Sequence, residues 1–259
     1  MNIRNTVLSL FFLVFVIAGC QAPQPGNNNE PTAAANQSSP YLGHSPTPLA
    51  TAPQDTLQVA FLVVDGVYNS ELMAPYDIFQ HTIFHTKPGM RTFTVGPSKN
   101  PITTFEGLRL LPDYAFDSPD LPAIDVLVVA SAEHSMDTDL EDAAMMGFVQ
   151  RTGAQAQYVM SLCDGAFVLA KAGLVAGKES TTFPSDIPRY RQMFPELTVH
   201  EGVSFVHDGS LITSAGGAKS YDAALFLVEL LYGAQTARNV AKGLVIDWDV
   251  KKIAWTAPS

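Results

Sequence analysis

Cysteine is nearly absent from this 259-residue chain. Its two thiols, Cys20 and Cys163, offer no disulfide framework. Basic side chains are also scarce: 15 Lys and Arg stand against 25 Asp and Glu, a formal charge of −10, and no basic run occurs. A phosphate backbone is neutralised by clustered Lys and Arg, so this balance argues against a nucleic-acid-binding surface. There is no G-x-G-x-x-G and no phosphate loop, which leaves a nucleotide cofactor without support. His81 and His85 stand four apart on an expected helix, but Thr-Ile-Phe between them lacks the Glu of a zinc hydrolase and no third ligand is evident. No metal and no cofactor are expected, and there are no internal repeats.

What is present is a globular composition, 47% hydrophobic and 15% charged, in a length that suits one sizeable α/β domain with additions at its ends. Residues 1–19 hold one charge, Arg4, and an apolar run from Val7 to Gly19, a secretory signal in outline and too short for a convincing membrane span. The ending Ile17-Ala18-Gly19-Cys20 resembles the lipobox of bacterial lipoproteins. That resemblance implies cleavage before Cys20, acylation of Cys20, and a protein anchored to a membrane of the bacterial envelope on its extracytoplasmic side. Residues 20–55 then read as the acylated Cys and a disordered tether rich in Pro, Asn, Ser, Ala and Gln, spanning on the order of 30 Å as a coil.

From Leu57 the chain alternates strand and helix patterns. Leu57–Val64 is a buried strand, residues 71–84 carry a helical apolar face, and Arg91–Gly96 is a second strand. A hairpin is expected around Glu106-Gly107, a strand over Ile124–Ser131, a helix over Asp139–Arg151, and a strand and long helix over Leu211–Ser214 and Tyr221–Tyr232. This order predicts a mostly parallel central sheet with helices on both faces, a flavodoxin-like three-layer sandwich, occupying residues 56–240 with a C-terminal extension over 241–259.

The chemistry concentrates in Tyr158–Gly177. A strand, Tyr158–Leu162, runs into Cys163-Asp164-Gly165 and then an apolar helix, the pattern of a nucleophile elbow. The helix N-terminus favours a thiolate there; a buried structural Cys is the competing reading. Glu71 follows the first strand and opens a helix, where open α/β sheets place ligands. Asp164 complements a helix N-terminus but opposes a thiolate. His134, in the loop after the Ile124–Ser131 strand, is the one His placed to act as a base for the thiol, with an exposed loop His as the favoured competing reading. Asp164, Gly165, Ala132 and His134 are the residues expected to line a pocket or oxyanion site.

The ordered motifs Gly66-x4-Glu71-x3-Pro75, Ser161-Leu162-Cys163-x-Gly165-Ala166, Ala172-Gly173-Leu174-x2-Gly177, Thr181-Thr182 and Thr213-Ser214-Ala215-Gly216 resemble the DJ-1/PfpI superfamily of the class I glutamine amidotransferase-like fold. The branch most similar holds isonitrile hydratases and the ligand-binding halves of AraC-type regulators. The resemblance implies that Cys163 is the elbow nucleophile and Glu71 its acidic partner. It further implies cofactor-independent hydration or hydrolysis of a small electrophile, or else a non-catalytic binding or sensing protein, and it leaves a homodimer open. Two residues depart from the pattern: Phe183 stands where many relatives have a His, and Asp164 where the hydratases have a Thr.

Overall fold

The computed structural model describes residues 41–49 and 51–258. The expected signal segment, Cys20 and the tether through residue 40 lie outside the described residues. In chain order the strands are β1 (Leu57–Leu62), β2 (Met90–Gly96), β3 (Ile102–Thr103), β4 (Arg109–Leu110), β5 (Tyr114–Ala115), β6 (Val126–Val129), β7 (Tyr158–Leu162), β8 (Glu179–Ser180), β9 (Thr198–Val199), β10 (Phe205–Asp208), β11 (Leu211–Ser214) and β12 (Trp255–Thr256). The helices are α1 (Asn69–His81), α2 (Ala143–Gln155), α3 (Gly165–Lys171), α4 (Ile187–Met193), α5 (Lys219–Tyr232) and α6 (Ala234–Gly243).

Eight strands form one sheet in the order β12-β10-β11-β7-β6-β1-β2-β5, parallel throughout except for the β10·β11 pair. The alternation of β1 explains why both faces are covered. Val59 and Phe61 face a cluster with Ile78, Phe79 and the apolar residues of α5 and α6. Ala60 and Leu62 face the other cluster, with Phe148, Phe167 and Tyr190 of α2, α3 and α4. A strand covered on both faces reads as an unbroken apolar run, and each large side chain buried in this way contributes about 1.5–3 kcal/mol. Helix α5 is buried from Ala223 to Leu231 without a gap, because the sheet covers one side and α1 and α6 the other. The three-layer α/β sandwich is therefore as expected.

The differences lie at the ends of elements. Helix α1 begins at Asn69 with Tyr68 as an N-cap that makes no side-chain bond, so Pro75 falls inside the helix rather than in its first turn. Its ring deprives the Glu71 carbonyl of the intrahelical donor. The outer strands β5 and β12 are two residues long, as short edges resist pairing with other chains. The C-terminal residues are no appendage: α6 crosses residue 240, and Trp255 pairs with Phe205 while stacking on its ring at 5.5 Å.

The tether expectation also changes from residue 41 onward. Gly43 N–H donates to the Lys251 carbonyl, Leu49 N–H to the Leu230 carbonyl, and Trp255 N–H to the Tyr41 carbonyl. The His44 ring meets Trp255 edge-on at 6.0 Å, and Pro46 is buried. A segment without hydrophobic periodicity is thus held as a strap by backbone bonds and a few contacts, features that composition does not report.

Candidate functional site

Four connections converge at the C-terminal ends of the parallel strands: those after β1, β6, β7 and β11. Strand β7 delivers Cys163 with φ of +53°, a left-handed conformation that a non-glycine residue adopts at some strain. The turn is over-determined by its neighbours. Cys163 N–H donates to the Ser214 carbonyl at 3.0 Å. A Cβ on Gly165 would lie 2.1 Å from the Val129 carbonyl oxygen, and one on Gly216 would lie 2.4 Å from the Cys163 Cβ. The two glycines let β6 and β11 close against the elbow, and so fix where the sulfur points.

The thiol is 7% exposed. Burial, then the negative charges of Asp164 and Glu71, push its pKa well above the ordinary thiol range, outweighing the Asp164 N–H and the Ser131 hydroxyl, which favour a thiolate. Of the two opposing influences expected, the helix N-terminus and the Asp164 charge, burial and the charge prevail, and the balance favours the protonated thiol. That proton has an acceptor, Asp164 Oδ2, 3.6 Å from Cys163 Sγ. Asp164 is itself buried. Burial, then the charge of Asp186, push its carboxyl up to about 6 against the opposing hydrogen bonds from Thr182 and Cys163 and the charge of Arg189. Thr182 Oγ1 stands 3.0 Å from Asp164 Oδ1 and 3.1 Å from the Cys163 carbonyl, and its single proton serves one of them at a time.

Glu71, implied by the resemblance to be the acidic partner of Cys163, is held by other groups. Its Oε1 accepts from Gly217 N–H at 2.6 Å and its Oε2 from the Ser220 hydroxyl at 2.9 Å. No hydrogen bond joins it to Cys163 among the described residues; the two act on each other through charge. Burial raises the Glu71 carboxyl pKa despite those two bonds. The Ala132 N–H expected to line an oxyanion site is already given to Ser135 Oγ at 2.8 Å, so Ala132 is not a vacant donor. The donors placed for the sulfur are the Asp164 N–H and the Ser131 hydroxyl; Ser131 Oγ, fully buried, makes no other hydrogen bond among the described residues. Gly165 contributes by lacking a side chain. His134 is not brought to the thiol: it is exposed and its Nδ1 lies 3.1 Å from Asp137 Oδ1. Among the described residues no group of three metal-ligating side chains converges, and His81 is paired with Asp77.

Sequence reading missed Ser131, Thr182 as a partner of Asp164, the Gly217–Ser220 cradle of Glu71, and Tyr68. The Tyr68 ring packs on Phe105 at 4.7 Å, and its N–H donates to the Ser131 carbonyl. Burial, then the charges of Cys163, Glu133, Asp164 and Glu106, raise its pKa. These residues come from four separated segments, and no local spacing links them.

An α/β sandwich with one thiol lifted at a strand-to-helix elbow, flanked by two buried carboxyls, defines an elbow-cysteine protein of the flavodoxin-like class. The chain belongs to the DJ-1/PfpI family, whose pattern matches residues 57–230. It is 33% identical over 185 residues to an isonitrile hydratase of Pseudomonas putida, covering 71% of this chain and 76% of the hydratase. It is 38% identical over 82 residues to the HTH-type transcriptional regulator CdhR of Pseudomonas aeruginosa, 32% of this chain and 24% of the regulator. The crystal structure of Drosophila melanogaster DJ-1beta superposes with a TM-score of 0.65 at 22% identity, covering 74% of this chain and all of that one.

Proposed function

We propose that this protein hydrates a small electrophile of the isonitrile type without a cofactor, using Cys163 as nucleophile and Asp164 as the proton carrier. The observation that carries this reading is the 3.6 Å approach of the protonated thiol to a buried carboxyl pushed up to about 6, a value suited to proton exchange near neutrality. In the first step the Cys163 sulfur bonds to the terminal carbon of the isonitrile. Asp164 takes the thiol proton and passes it to that carbon, giving a thioimidate. Water then adds to the same carbon and one of its protons goes to the imidate nitrogen; the remaining hydroxyl proton passes through Asp164 to the sulfur as the S–C bond breaks, and an N-substituted formamide leaves. No redox partner enters, because addition of water exchanges no electrons with the protein. Glu71, held by Gly217 and Ser220, acts as a positioning carboxyl under the elbow rather than as the first proton acceptor.

The second reading is a ligand-sensing protein that reuses the same site, and the depth of burial of the thiol favours it. One experiment separates the two. Short alkyl and aryl isonitriles are incubated with the protein and formamide is followed by mass spectrometry. Turnover lost in Cys163→Ser and reduced at least about a hundredfold in Asp164→Asn supports hydration. Thermal stabilisation by the same compounds with no formamide formed supports sensing. The placement of this activity outside the cytoplasm, on a lipid carried by Cys20, belongs to the same proposal. Mass spectrometry of the mature chain showing an unmodified Cys20 removes it.

A further inference from the structure

The end of the sheet opposite the thiol carries a surface of a different composition. The 3-10 turn Thr82–Phe84 follows α1, and β1 starts there with Leu57 N–H donating to the Gly89 carbonyl. Helix α6 ends against this turn, with Gly243 beside the His85 ring. Three apolar side chains stand out at the junction: Ile83 at 43%, Phe84 at 70% and Val245 at 92% exposure. Val245 is also held at φ +59°, unusual for a β-branched residue.

The charges nearest them are mostly of one sign. In a chain of formal charge −10, no Asp or Glu occurs from residue 78 to 105 or from 230 to 246, the two stretches that meet here. They supply exposed His85, Lys87 and Lys242 around the apolar tip, with Asp77, paired to His81, and the exposed Asp247 as the acids at its margin. Exposed apolar side chains rimmed by lysines are the chemistry of an interfacial contact with an anionic bilayer, in which rings and branched chains enter the acyl boundary and lysines meet the headgroups.

We propose that the Ile83–Phe84–Val245 tip with Lys87 and Lys242 docks on an anionic lipid surface. Docked through this end, the protein turns the elbow at Cys163 toward water, because the tip lies at the starts of the strands and the thiol at their C-terminal ends. The docking is independent of any lipid on Cys20 and of any turnover at the thiol.

The test uses the full chain with Cys20→Ser, in which Val245→Cys carries an environment-sensitive fluorophore; the remaining thiol, Cys163, is buried. A second protein carries the fluorophore at Phe105→Cys, near the thiol end. Vesicles of phosphatidylcholine with and without phosphatidylglycerol are titrated in. The proposal expects the probe at 245 to shift to the blue only with phosphatidylglycerol, the probe at 105 to stay aqueous, and Lys87→Gln and Lys242→Gln each to weaken partitioning about five-fold. An aqueous 245 probe on vesicles that bind the chain, or no binding, overturns it. So does a shift that depends on protein concentration without vesicles, since the tip is then a contact between copies.

Discussion

Cys163 Sγ lies 3.6 Å from Asp164 Oδ2, while both oxygens of Glu71 are turned to Gly217 and Ser220. The residue next to the cysteine in sequence, rather than the acid 92 positions before it, is therefore the thiol's hydrogen-bond acceptor. Both carboxylates oppose a thiolate, and Asp164 does so more strongly.

From this order follows a split between reactivity and catalysis. Asp164→Asn removes the larger opposing charge, so the Cys163 thiol should titrate lower and alkylate faster at pH 8 than in the wild type. Glu71→Gln should shift the alkylation profile in the same direction by less. Turnover should fall most in Asp164→Asn, although its thiol is the more reactive, because the proton carrier is gone. Iodoacetamide rates against pH, measured beside hydration rates, check both halves.

The elbow glycines should be far less replaceable than an ordinary left-handed glycine. Gly165→Ala drives a methyl into the Val129 carbonyl, and Gly216→Ala drives one into Cys163. Each is expected to destabilise by more than about 3 kcal/mol in urea unfolding. Gly173, with φ of +79° and no atom within 4 Å of an added Cβ, is the control. Its Ala variant meets only the backbone penalty of about 1–2 kcal/mol.

These contrasts show what the sequence could and could not carry. The elbow was legible because strand, Cys-x-Gly and helix are contiguous, whereas the close approach that requires Gly165 comes from Val129 on β6 and left no local trace. The sandwich was legible because covered strands such as β1 leave unbroken apolar runs. Ser131 and the Gly217–Ser220 cradle were not legible, because their partners are set by strand order across the sheet. Asp164 was read as a helix-end charge that opposes the thiolate, but its place as acceptor for the thiol and partner of Thr182 depends on the left-handed turn at Cys163. Strands of two residues, such as β5 and β12, are too short for any period, which is why the tail from residue 241 read as an extension.

The strap makes a further expectation. Trp255 stacks on Phe205, packs 4.7 Å from the Phe226 ring, meets His44 edge-on, and bonds through its backbone to Tyr41. Trp255→Ala should lower stability by about 3–5 kcal/mol and release residues 41–49. Limited proteolysis should spare that segment in the wild type and cut it in the variant at a temperature where both remain folded. Equal protection in both would mean that the strap is held by its other bonds.

The buried Asp164 also fixes a sign for the dependence of stability on pH. Its carboxyl is raised from the ordinary 3.8 to about 6 in the folded protein. The folded state therefore binds this proton more tightly than the unfolded state does. The resulting stabilisation is fully present below about pH 4 and is lost as pH rises through about 6, so this residue makes the protein less stable toward neutrality. Asp164→Asn removes the titration while leaving an oxygen for the Thr182 hydroxyl. The variant should match the wild type near pH 4 and exceed it at pH 7.5 by up to about 3 kcal/mol. Glu71, raised in the same direction, leaves the variant a residual slope. Urea midpoints from pH 4 to 8 check this. A wild type that gains stability on Asp164 ionisation, with the variant falling below it at pH 7.5, would mean that a cation pairs with Asp164 and that its carboxyl is no carrier for the thiol's proton.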